Sequence, residues 1–213
     1  MVASKQRLRR VLTVHHLNKS RSHRIVWLLE ELGAPYAIQR YERVGRTGAA
    51  PEALKQIHPL GKSPVVTEDD AVIAESGAII DYIVRRHGNG ALCPPSESAL
   101  YDQYVHWLHY AEGSAALPLT MKGTVDHLSN TWRPLKRMVD TEVDLHLSYI
   151  DGQLAKGTYI LGETFTAADI QLSFIGEVAG ARVDRTAYAH LDQWVRMLQE
   201  RPAYQRARAK AGE

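Results

Sequence analysis

The chain has 213 residues, nearly half of them hydrophobic, enough to bury one large core or two small ones. Its net charge of +2 gives no footing for a nucleic-acid partner, and its single cysteine, Cys93, excludes a disulfide framework and a cysteine-built zinc site. No apolar run approaches about 20 residues, so no membrane span is predicted. Residues 1–10 carry Lys5, Arg7, Arg9 and Arg10 without an apolar stretch. They read as a short disordered basic arm rather than a secretory signal, and a reduced, cytoplasmic protein is the expectation. Val11 to His16 is short and β-branched, a strand. Ser22 to Gly33 follows as a helix, with Ile25, Leu28, Leu29 and Leu32 on one face and Gly33 at its stop. Pro35 to Tyr41 is a second strand, and Pro51 to Gln56 a short helix opened by proline. Pro64 to Thr67 and Val72 to Ala74 are strands around the acidic turn Glu68-Asp69-Asp70, and Glu75 to Arg86 closes as a helix. The order βαβαββα over residues 11–87 is a small mixed α/β sheet domain.

Residues 88–98 crowd Gly88, Gly90, Pro94 and Pro95 into a linker. From 99 to 213 strand signals vanish and an all-α domain is predicted. Ala99 to Lys122 is a long helix that Pro118 kinks or ends. Trp132 to Lys156 is a second. Thr166 and Asp169 form a capping-box start to a third. A last helix runs from Tyr188 to Glu200, stopped by Pro202. The basic tail with Arg206, Arg208 and Lys210 reads as another unstructured arm.

The stretch "HPLGKSPVV", residues 58–66, ends like a phosphate-binding loop, but Gln56 stands where that loop needs glycine and Pro64 leads into a strand, not a helix. Lys62 and Ser63 must therefore face another ligand. A cis bond before Pro64 would turn the backbone of Ser63 outward, where extended peptide pairs as an added strand. Glu75-Ser76 lies at a strand-to-helix junction. A helix start binds a carboxylate, and the Glu75 charge binds an ammonium. Together they fit an α-amino acid head, while Lys62 takes a second carboxylate. The implied ligand is a zwitterionic peptide charged at both ends. His106, His109 and Glu112 step around a helix rather than stacking at metal-ligand spacing, so no metal site is expected. Cys93 is expected to be an incidental thiol.

The segments "SRSHRIVWLLEEL", "HPLGKSPVV", "AESGAIIDYI", "WLHYAEGS", "LGETFTAADI" and "ERPAY", in that order, resemble the cytosolic glutathione S-transferase family over residues 11 to 205. The resemblance implies a thioredoxin-like N-terminal domain, an all-helical C-terminal domain that receives the co-substrate, and a homodimer. It implies glutathione as co-substrate, no metal, and a detoxification chemistry in which the glutathione thiol attacks a hydrophobic electrophile or a hydroperoxide. By motif, Ser63 offers its backbone to the cysteine of glutathione and Pro64 is the cis-proline. Glu75 and Ser76 hold the γ-glutamyl end, Lys62 holds the glycine end, and Asp169 is structural. The serine-type pattern S-x-x-x-R matches Ser20 to Arg24, which makes Ser20 the first choice for activating the thiol, Asn18 the second and His16 the third. Ser22 competes for the helix cap. Trp107 and Tyr110 are the candidates for an apolar co-substrate wall. Alternatives in the same fold are a glutathione-dependent disulfide reductase and a non-catalytic glutathione-binding module.

Overall fold

β1 (Leu12–Leu17) pairs in parallel with β2 (Tyr36–Tyr41), in the register Leu12 to Tyr36 through Leu17 to Tyr41. On its other side β1 pairs antiparallel with β3 (Val65–Glu68), which pairs antiparallel with β4 (Ala71–Ala74). The sheet order is β2-β1-β3-β4. This computed structural model describes residues 11–45 and 48–212, so the basic arm at 1–10 lies outside the described residues. The chain divides into two compact units: one made by the residues up to Ile79 together with those from Arg206 on, the other by Ile80–Gln205.

In the first unit β1 is buried along nearly its whole length, as a strand with neighbours on both edges must be. The parallel crossover from β1 to β2 is made by α1 (His23–Leu32), whose residues 23–29 are buried. Gly33 ends the helix in the left-handed region at φ 60°, where its N–H bonds back to Leu29 and a side chain would be strained. Residues 52–56 form a 3₁₀ turn, and Leu54 buries from it. The β3–β4 register, Val65 to Ala74 through Glu68 to Ala71, places the tight turn at Asp69-Asp70. It also leaves Ser63-Pro64 and Glu75-Ser76 at the same end of the hairpin. Ser76 opens α2 (Ser76–His87).

The second unit is helical. α3 (Ala99–Tyr110) breaks earlier than the kink or end expected at Pro118. A π-helical turn at Ala111–Ala115 interrupts it before α4 (Ala116–Val125). Pro118 lies inside α4 and neither ends nor follows the helix. A proline lacks the N–H for the preceding turn and crowds its carbonyl, and the widened turn at 111–115 lies where that relief is needed. α5 (Arg133–Leu154), α6 (Ala167–Gly180) and α7 (Ala189–Gln199) complete the unit. α6 is buried almost all round, from Ala167 to Ala179. A Cβ on Gly176 would collide with Val195 of α7, so glycine there permits the close approach of the two helices. Asp169 at the third position of α6 is fully buried and takes four donors: Ile160 N–H (2.9 Å), Thr166 N–H (2.9 Å), Thr166 Oγ1 (3.2 Å) and Trp194 Nε1 (3.2 Å). It ties the preceding loop and α7 to the start of α6, a structural role.

The C-terminal tail corrects the expectation of an unstructured arm. α7 does end just before Pro202, at Gln199, but Pro202 also opens α8 (Pro202–Ala211), in the first turn, where its missing N–H costs nothing. Arg206 and Lys210, one helical turn apart, both reach Glu30 of α1: Arg206 Nε donates to Oε2 (2.9 Å) and Lys210 Nζ to Oε1 (2.6 Å). Tyr36 Oη donates to the same carboxylate (2.5 Å). A partner so distant in sequence leaves no local signal, so the basic run looked solvated.

Candidate functional site

Three loop ends meet at one edge of the sheet. β1 runs antiparallel to β3 with His15 opposite Val65, so the segment leaving β1 at Asn18–Ser22 lies beside Ser63-Pro64. The hairpin register adds Glu75-Ser76 to the same edge. The Ser63-Pro64 peptide is cis. Ser63 Oγ donates to the His15 carbonyl (2.9 Å) and accepts from Leu17 N–H (3.2 Å), which pins the loop to β1.

Among the sequence candidates, Ser20 is half-buried and closest to that loop. Its Oγ lies 3.4 Å from Ser63 Oγ and 2.7 Å from Ser22 Oγ, and it accepts from Ser22 N–H at 3.2 Å. Asn18 is turned the other way. Its Nδ2 donates to Glu42 Oε2 (2.5 Å) and its Oδ1 accepts from Arg43 N–H (3.1 Å). Arg43 in turn donates to the carbonyls of Asn18, Lys19 and Gly48, which braces the loop after β1. His16 is 1% exposed, and its Nδ1 lies 2.9 Å from Ser22 Oγ. Successive strand residues point to opposite faces. His15 accordingly faces away from Ser22, between Tyr41 Oη (3.0 Å) and Thr67 Oγ1 (3.2 Å). Burial pushes the His23 imidazole down to about 4, helped by His16 and Arg208, so His23 adds no charge here at neutral pH.

Ser22 is the residue the sequence reading misassigned. It stands at the N-cap of α1, yet its hydroxyl makes no cap bond and is spent on Ser20 and His16. The available signal was the S-x-S spacing of Ser20 and Ser22 beside a strand histidine. Glu75 is exposed at φ 68°, left-handed for a non-glycine residue, and its carbonyl accepts from Ile79 N–H (2.9 Å). Ser76 is buried at the head of α2, where first-turn N–H groups have no acceptor within the helix. Lys62 is exposed beside Ser63.

In the second unit Trp107 is 2% exposed and stacks on Tyr149 at 5.3 Å, with Tyr110 edge-on at 5.1 Å. Tyr110 is half-buried, and its Oη lies 2.6 Å from His146 Nδ1. His106, Trp107, Tyr149 and Gln153 border an open cavity of about 370 Å³. No group of three or more His, Cys, Asp or Glu among the described residues could hold a metal ion. Burial pushes the Cys93 thiol up, away from nucleophilic reactivity. Among the described residues no helix is long and apolar enough to cross a membrane.

A thioredoxin-like sheet domain with a cis-proline loop, followed by a helical domain, defines a class of thiol-handling proteins. The description "Glutathione S-transferase, N-terminal domain" matches residues 10–85, and "Glutathione S-transferase, C-terminal domain" matches residues 105–202. The chain belongs to the glutathione S-transferase family. Glutathione S-transferase 3 of Schizosaccharomyces pombe is 36% identical over 91% of this chain and 85% of its own length. A solved glutathione S-transferase from Actinobacillus pleuropneumoniae superposes with a TM-score of 0.87 at 33% identity, covering 95% of this chain and 93% of its own. A disulfide-bond oxidoreductase of Escherichia coli is 24% identical over 92% of this chain and 74% of its own length.

Proposed function

We propose that this glutathione transferase ionises the glutathione thiol against the Ser20 hydroxyl and delivers it to a hydrophobic electrophile or a hydroperoxide. The observation that carries the reading is the convergence of Ser20 on the cis Ser63-Pro64 loop, at 3.4 Å between the two hydroxyls. An extended tripeptide pairing with the Ser63 backbone brings its central cysteine to that point. Glu75 and the α2 N-terminus then take the γ-glutamyl ammonium and carboxylate, and Lys62 the glycine carboxylate. Asn18 supports the loop, because its carboxamide is engaged with residues 42 and 43. Both aromatics stay candidates for the apolar wall: Trp107 borders the open cavity although it is 2% exposed, and Tyr110 is half-buried. The protein acts as a homodimer in the cytoplasm.

Calorimetry tests the site. Glu75→Ala and Ser76→Ala are each expected to weaken glutathione binding by about 1–3 kcal/mol, since each leaves a charged end of the ligand underpaired. Unchanged affinity in both variants would discard it. The similarity to a named disulfide-bond oxidoreductase favours one second reading, glutathione-dependent disulfide reduction with two glutathiones and no protein cysteine. Turnover of a halogenated arene, an organic hydroperoxide and a mixed disulfide, compared side by side, separates the two.

A further inference from the structure

The protons of the loop after β1 can be counted. A serine hydroxyl carries one proton. The proton of Ser63 is committed to the His15 carbonyl at 2.9 Å, so the 3.4 Å contact between Ser20 and Ser63 uses the proton of Ser20. Ser20 Oγ and Ser22 Oγ, 2.7 Å apart, share one proton that either hydroxyl can supply, and with the Ser20 proton on Ser63 it comes from Ser22. With the Ser22 proton spent, its 2.9 Å bond to His16 Nδ1 takes the proton of the imidazole. Ser22 Oγ also lies 3.4 Å from the Leu17 carbonyl, as long a contact as that between Ser20 and Ser63, so the order of the chain rests on the Ser20 proton keeping its place on Ser63. Ser20 thus accepts twice from Ser22, through O–H and through N–H at 3.2 Å. Its own proton rests on a contact near the limit of hydrogen bonding, the proton most easily redirected to a better acceptor.

We propose that His16 and Ser22 are positioning residues for the thiol step: His16, carrying its proton on Nδ1, fixes Ser22 as the donor to Ser20 and thereby aims the Ser20 proton at the glutathione sulfur. The inference rests on the assignment of Ser20 as the hydroxyl that meets that sulfur. Reversed, the same chain would point the Ser20 proton inward and present a lone pair, which favours the neutral S–H over the thiolate. Direction in the chain therefore decides which protonation state of sulfur is stabilised. The chain orients and carries no net proton; the proton lost by the thiol goes to water. His16 is 1% exposed, so water does not substitute for Ser22 at Nδ1.

The test is the ultraviolet absorbance of bound glutathione thiolate across pH in Ser22→Ala, His16→Phe, His16→Asn and Ser20→Ala. It is paired with the affinity for S-methylglutathione, which has no thiol to ionise. Ser22→Ala and His16→Phe are expected to raise the absorbance midpoint by about half to one pH unit, about 3- to 10-fold less thiolate below the midpoint, with S-methylglutathione affinity held within about twofold. His16→Asn, whose amide can donate from the place of Nδ1, returns the midpoint toward wild type. A wild-type midpoint in Ser22→Ala, with Ser20→Ala raised, would overturn the relay and leave Ser20 in place. Loss of S-methylglutathione affinity in step with the midpoint would make the role structural and also overturn it. A wild-type midpoint in Ser20→Ala would instead remove the reading on which the relay rests. Should His16→Phe fail to fold, Ser22→Ala still decides.

Discussion

Replacing Ser20 by alanine should make the pH–rate profile cross that of the wild type. A hydrogen bond to a charged group contributes about 1.5–3 kcal/mol. Little has to be given up to form it, because the hydroxyl proton now sits on a 3.4 Å contact with Ser63. A net loss of about 2 kcal/mol raises the bound thiol by about 1.5 pH units. With the intact site holding the thiol near about 6.5, two units below the free value of about 8.5, the variant titrates near about 8. At about pH 5.5 the thiolate fraction falls about 30-fold, while the more basic thiolate regains about fivefold in nucleophilicity at a Brønsted slope of about 0.4–0.5. Turnover there drops about sixfold. At about pH 9 both forms are ionised and the variant runs about fourfold faster, so the curves cross between about pH 7 and 7.5. Single-turnover rates with a halogenated arene at saturating glutathione read this directly. Superimposable curves would take Ser20 away from the sulfur. A variant slower by one constant factor at every pH would show that Ser20 positions the sulfur without ionising it.

Burial alone would raise the Glu30 carboxyl, but hydrogen bonds from Lys210, Tyr36 and Arg206 outweigh it and hold the group at about 2. A depressed carboxyl contributes stability above its unfolded value of 4.5 and loses it as pH falls from there toward about 2. Glu30→Gln should therefore lower urea stability at neutral pH and flatten the acid limb. The loss is about 1–3 kcal/mol, discounted because Arg206 and Lys210 are half exposed. An unchanged midpoint at pH 7 would mean that α8 docks without the carboxylate. Asp169→Asn leaves one oxygen for four donors and turns an NH₂ toward some of them, so it should cost about 1–3 kcal/mol in urea unfolding. Stability equal to wild type would remove Asp169 from its structural role.

What could be read from the sequence was what is encoded locally. Gly33 stops α1 because a left-handed residue is needed within one turn of Leu29, and the chain spells that in adjacent letters. Thr166 and Asp169 are three residues apart, and their reciprocal bonds form at the predicted helix start. The loop Lys62-Ser63-Pro64 and the junction Glu75-Ser76 were legible as a pair, because antiparallel pairing of β3 with β4 must return them to one end. The misses depend on three-dimensional context, one of them on a partner far away in the chain. α8 is fastened by Glu30, which no window around Arg206 contains. The π turn at 111–115 lies just ahead of Pro118, and helix propensity does not place it. Ser22 looked like a cap because serine before a helix usually is one. Only the arrival of His16 from the strand behind it redirects the hydroxyl.

If Glu75 binds the ligand ammonium as proposed, the fold meets that requirement at a cost to itself. Its φ of 68° lies in the region where a non-glycine residue is destabilised by about 1–2 kcal/mol, yet it is solvent-exposed and its side chain fills no core. Glycine would relieve the strain and give back about 0.5–1 kcal/mol through the freer unfolded chain. Glu75→Gly should then be more stable than wild type by up to about 1 kcal/mol and bind glutathione as poorly as Glu75→Ala. Glu75→Ala keeps the strain and loses the carboxylate, so it should gain no stability. Strained residues that persist where a smaller one would fit better concentrate at ligand sites, and this pair of variants separates backbone from charge. If Glu75→Gly instead unfolds at lower urea than wild type, the carboxylate is holding the hairpin end together, and its assignment to the ligand ammonium loses its physical basis.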